Sequence, residues 1–82
     1  MIRGSQIRAA RGLLNWTQAD LVEKSGLSPT TIKRMESLGT GRSSMDNILA
    51  VQRALEAAGV QFIAENGGGA GVRLAKPEAP GE

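Results

Sequence analysis

The side chains able to do chemistry in this chain are few, and their types exclude most of it. The 82 residues contain no His, no Cys and no Tyr. That removes the usual general acid–base group, the thiolate nucleophile and the main zinc ligands together. Without His no serine triad can be drawn, and Ser5, Ser28, Ser43 and Ser44 stand instead where helix caps are needed. What remains is a short run of hydroxyls and cations, Thr30, Thr31, Lys33 and Arg34. Their chemistry is noncovalent, and all four are expected to touch base edges of a nucleic acid. Arg34 suits a bidentate bond to guanine O6 and N7, worth about 1–3 kcal/mol of discrimination. Thr30 offers a hydroxyl or a contact to a thymine methyl. Lys33, as a compact charge, also suits a phosphate. No enzyme, metal or cofactor is expected.

Charge supports a polyanionic partner. The net charge is +2, but it is unevenly spread. Residues 1–42 carry Arg3, Arg8, Arg11, Lys24, Lys33, Arg34 and Arg42 against Asp20, Glu23 and Glu36, a net of +4. Residues 43–82 carry a net of −2. The positive field therefore sits on the half that holds the hydroxyl–cation run. Missing cysteines suit a reducing cytoplasm. No apolar run approaches the ~20 residues that span a bilayer, and the first residues lack the apolar core of a signal peptide. A soluble cytoplasmic protein, nucleoid-associated when bound to DNA, is expected.

The elements that must position these groups can be read from caps and periodicity. A first helix is expected over Ser5–Leu14, with Ile7, Ala10 and Leu14 on one stripe. A second starts at the cap Thr17, with Asp20 closing a capping box and Trp16–Leu21 spaced as a hydrophobic staple. It ends at Gly26, where a left-handed residue closes a helix cheaply. The third follows a three-residue turn: Ser28 as cap, Pro29 first in the helix, Leu27–Ile32 a second staple, and a stop near Leu38-Gly39. Ile32 and Met35 point inward, leaving Thr30, Lys33, Arg34 and Ser37 outside. Ser43 or Ser44 caps a fourth helix over Met45–Ala58, whose apolar stripe is expected to include Met45, Ile48, Leu49, Val51, Leu55 and Ala58. Then Val60–Ala64 and Val72–Leu74 read as a β-hairpin around a Gly-rich loop. That loop lacks the spacing of a phosphate-cradling motif. The tail from Lys76 is expected to be disordered.

Two helices joined by a tight turn match the helix-turn-helix of DNA readers. In TQADLVEKSGLSPTTIKRME, Gln18, Ala19, Leu21, Gly26, Leu27, Ser28, Thr31, Ile32 and Glu36 resemble the XRE family, the Cro and repressor-like regulators of phages and bacteria. The resemblance spans roughly residues 5–58. It implies a mainly α, four-helix lambda-repressor-like DNA-binding domain over 1–59. Val22 departs from it, standing where the family usually has Ala or Gly at the closest helix crossing. The resemblance also implies that Gln18 meets a phosphate and that Arg11 pairs with Glu36 as a structural bridge rather than a DNA contact. Gln18 has independent support, because it lies in the first turn of a helix, where free N–H groups attract anions. Ser28, Arg42 in the loop after the third helix, and Arg8 complete the expected phosphate contacts.

The ending GVQFIAENGGGAGVRL is similar to that of small alphaproteobacterial regulators of this family. A lone hairpin is marginal in water and its exposed edge invites another strand. Residues 60–75 are therefore expected to form a homodimer interface through Val60, Phe62, Ile63, Val72 and Leu74. The alternative is a hairpin folded back on its own helices. The expected function is a sequence-specific regulator binding a pseudo-palindromic double-stranded DNA operator as a dimer. It would be a repressor acting by occlusion and possibly on its own gene. The alternative is an antitoxin or antiactivator whose main role is to bind a partner protein.

Overall fold

The computed structural model describes residues 1–75, and the expected disordered tail over 76–82 lies outside them. Four helices precede one hairpin: α1 Gly4–Leu14, α2 Gln18–Ser25, α3 Pro29–Leu38, α4 Met45–Ala57, β1 Val60–Ile63 and β2 Gly71–Leu74. The protein is mainly helical, as its periodicity predicts. No helix among the described residues is long and apolar enough to cross a membrane.

Each helix starts where a side chain can take up a free N–H. Thr17 Oγ1 accepts from the Asp20 N–H at 3.1 Å, while Asp20 Oδ2 accepts from the Thr17 N–H at 2.8 Å. Ser28 Oγ accepts from the Thr31 N–H at 3.1 Å. Of the two serines considered for α4, Ser44 is the cap, accepting from the Asn47 N–H at 3.1 Å. The start of α1 has an unforeseen device: Gln6 Oε1 accepts from the Arg3 N–H at 2.8 Å. Such caps are worth about 1 kcal/mol each.

Ile7, Ala10, Leu21, Ile32, Met35, Ile48, Val51 and Leu55 form the centre of the core, joined by Ile2 and Val60. Trp16, Val22 and Leu27 pack at its margin. Two members of the expected α4 stripe are corrected. Met45 is 58% exposed and Ala58 is exposed beyond the helix end. The stripe is covered only from Ile48 to Leu55, so the outlying turns gain no burial. Thr40, after α3, is buried and donates its hydroxyl to the Ile2 carbonyl at 2.6 Å.

Among the described glycines, Gly4 marks the tightest approach. A Cβ placed there would lie 2.5 Å from the Met35 carbonyl oxygen and 3.0 Å from that of Glu36. Only a residue without a side chain lets the start of α1 sit against the end of α3.

The hairpin is antiparallel, pairing Val60 with Leu74, Gln61 with Arg73, Phe62 with Val72 and Ile63 with Gly71. Opposite residues share a face. One face thus holds Val60, Phe62, Val72 and Leu74; Phe62 and Val72 pack on the core and Val60 is 2% exposed within it. Alternation puts Val60 on the face that the chain's own helices cover, which leaves it little surface to offer a second copy. The Gln6 amide secures the same arrangement, donating to the carbonyls of Gly71 at 2.9 Å and Ile63 at 3.4 Å.

Candidate nucleic-acid interface

The interface is built outward from the turn between α2 and α3. Gly26 takes φ +76° and its N–H donates to the Val22 carbonyl at 2.9 Å. A side chain in that left-handed conformation would be strained. Leu27 then packs at the core margin and Ser28 begins the next helix two residues on. Because Ile32 and Met35 are each 1% exposed, the opposite side of α3 faces out. Thr30, Lys33, Arg34 and Ser37 are all exposed. No acidic group lies within ion-pair distance of Lys33, Arg34 or Arg42 among the described residues.

Thr31 and Ser28 stand differently from the other predicted contacts. The Ser28 hydroxyl donates to Thr31 Oγ1 at 2.9 Å while accepting from the Thr31 backbone. The Ser28 proton is thus spent inside the protein, and Thr31 is half-buried. Both hold the end of the helix that presents Thr30, Lys33 and Arg34.

Beneath this face lies a charged cluster. Arg11 donates from Nε to Glu36 Oε2 and from Nη2 to Oε1, both at 2.8 Å. A third nitrogen, Nη1, donates to the Trp16 carbonyl at 3.0 Å. Gln18 Nε2 adds a bond to Glu36 Oε1 at 3.1 Å. Glu36 is 3% exposed. Burial pushes its carboxyl up, but the bonds from Arg11 and Gln18 and the charges of Arg11 and Arg8 together outweigh burial and hold it below the ordinary value. The bond to Glu36 likewise raises the Arg11 guanidinium against the opposing effect of burial.

Gln18 and Arg8 therefore have partners that their expected phosphate role did not include. The Arg8 guanidinium donates to the Glu36 backbone carbonyl, one of the last carbonyls of α3, which have no partner within the helix. Yet Arg8, Gln18 and Lys33 line one open groove of about 490 Å³, together with Arg11, Glu36 and Ser37. The structure gathers these three expected DNA contacts around one groove, on a floor held by the buried pair. Arg42 lies elsewhere, in a second cleft of about 550 Å³ beside Arg34 and Leu38.

Gln6 and Gly4 hold structural positions that no expected site residue covers. The capping spacing of Arg3 to Gln6 was a usable local signal. Leu38, the last residue of α3, lies four positions after Arg34 and so falls on the exposed face by spacing.

A family model described as helix-turn-helix matches residues 7–58, from within α1 to the residue that closes α4. The hairpin lies outside the matched span. No curated protein matches the chain.

Proposed function

The chain belongs to this helix-turn-helix family of DNA-binding transcriptional regulators, and from that premise we propose that it is a dimeric repressor acting by operator occlusion. The observation that carries the reading is the exposed face of α3. Thr30, Lys33 and Arg34 stand outward on the second helix of the motif, the element that such proteins lay in the major groove. Arg34 reads guanine, Thr30 contacts a neighbouring base edge, and Lys33 meets a base or a phosphate. Arg8 and Gln18 guide the backbone along the groove beneath, and Arg42 clamps it on the other side. These contacts position the protein and carry no sequence information themselves.

Two copies would present two reading helices about 34 Å apart, one turn of DNA. Occupying the operator would block transcription, including that of the protein's own gene. Such a protein acts in the cytoplasm, on the nucleoid.

The test is selection of duplexes from a random library with the whole chain, followed by binding titrations on the recovered sequence. An enriched, two-fold related site is expected. Arg34→Ala should weaken binding to it by about 1–3 kcal/mol and relax the preference at one position in each half-site. Arg42→Ala should weaken all sequences alike and reduce the salt slope by about 1. Unchanged operator binding by Arg34→Ala would remove α3 from its assigned role.

A further inference from the structure

Leu38 is 80% exposed, more than any other large apolar side chain among the described residues. A single exposed leucine needs no explanation in itself. This one is distinguished by its place. It lies four residues after Arg34 and eight after Thr30 on α3, so it continues the same line along the helix surface. It also lines the cleft that holds Arg34 and Arg42, with Gly39, Gly41 and Ser43 completing the wall. Two guanidinium groups border that cleft and no carboxylate does. Its charge selects a polyanion, and its one large side chain is apolar.

A polyanion offering an apolar group on its readable edge is double-stranded DNA. In the major groove the thymine 5-methyl is the apolar feature, and it distinguishes thymine from every other base. We propose that Leu38 is a specificity residue, packing on the methyl of a thymine next to the base that Arg34 reads, while Arg42 holds the phosphate across the cleft. The inference rests on the DNA-reading function of α3. It extends the reading line by one turn beyond the hydroxyl and cationic residues, and it makes recognition of that base pair depend on shape rather than on hydrogen bonding.

The test uses the whole chain and the duplex recovered by selection, with each thymine replaced in turn by deoxyuridine, which deletes the methyl alone. Affinity is measured by fluorescence anisotropy at fixed salt. One position in each half-site should lose about fourfold, the worth of one buried methyl-sized group. Leu38→Ala should bind the thymine duplex about as weakly as the wild type binds the uracil one, and should be indifferent to the replacement. Its preference at the Arg34 position should remain. An exposed residue is being changed, so an unaltered thermal melt should show that the variant folds. The proposal is overturned if no thymine matters, or if Leu38→Ala responds to uracil as the wild type does. It is equally overturned if Leu38→Ala lowers self-association and leaves the methyl response intact, which assigns the leucine to a protein contact. Failure of the wild type to enrich any duplex would sink the underlying DNA reading, a result distinct from an enriched duplex indifferent to its methyl groups.

Discussion

Arg11 and Glu36 face each other across twenty-five positions of sequence and meet through two parallel bonds of 2.8 Å. The pair ties the end of α1 to the end of α3. Glu36 is almost wholly buried and Arg11 largely so, with 3% and 19% of their side chains exposed. Its value lies less in net stability than in what its absence leaves behind, since an isolated buried charge costs more than the pair returns.

Arg11→Met should therefore destabilise the fold by about 3 kcal/mol, because Glu36 keeps its burial and loses its principal partner. The double variant Arg11→Met with Glu36→Leu should recover much of the loss. Urea midpoints of the two single variants and the double close the cycle. Additive effects would mean that the two side chains do not act as a unit.

The same carboxylate predicts how stability depends on acid. Glu36 has a lowered value in the folded state, so the fold favours its ionised form. That contribution is fully present above the ordinary carboxylate value of about 4.3. It is lost as pH falls through the lower folded value. Urea midpoints of the wild type should fall more steeply below about pH 4 than those of Glu36→Gln, which carries no titrating group there. Parallel curves would show that other carboxylates dominate acid unfolding.

Gly4→Ala should cost about 1–3 kcal/mol, the range for forcing an extra carbon into a packed site. The added Cβ meets backbone, the Met35 carbonyl oxygen, rather than a side chain that can turn away. The helical gain of Ala over Gly, up to about 1 kcal/mol, opposes this and is the smaller effect. A thermal melt unchanged or raised in the variant would mean that α1 moves away from α3 without loss.

Sequence was most informative where the governing interactions are local. Thr17 with Asp20, Gly26, and Ser28 with Pro29 each act within one helical turn, so their spacing alone identifies the cap. Met45 shows the limit. It continues the Ile48–Leu55 stripe by periodicity, but periodicity does not say where the neighbouring element stops covering it. Gly4 shows another limit, because its reason is the backbone of α3, some thirty residues away. Alternation along the hairpin marks Val60, Phe62 and Val72 as one face without saying whose helices cover it. At the candidate interface the outward placement of Thr30, Lys33 and Arg34 follows from Ile32 and Met35 turning inward. The second duty of Gln18, bonding Glu36, needed the helices to be assembled.

The hairpin yields a prediction that separates its two faces. Phe62 and Val72 pack on the core, whereas Ile63 points to the other face and Leu74 is 37% exposed at the strand end. If the outer face and the open strand edge join two copies, Ile63→Asp should convert a dimer to a monomer in light scattering with little loss of monomer stability. Phe62→Asp should instead unfold the chain. A wild-type monomer at tens of micromolar would end the dimer proposal.

Gln6 gives that hairpin a mechanical character. Its amide bonds the carbonyls of both strands, at Ile63 and Gly71, while its oxygen takes the Arg3 N–H at the start of α1. The strands are thus clamped to the helix that also carries Arg11, and through Glu36 to α3. A joint made through such a hairpin would behave as a stiff ruler rather than a tether. The gap it tolerates between half-sites would be counted in whole base pairs, and inserting a single pair at the operator centre would cost affinity even with every contacted base left in place.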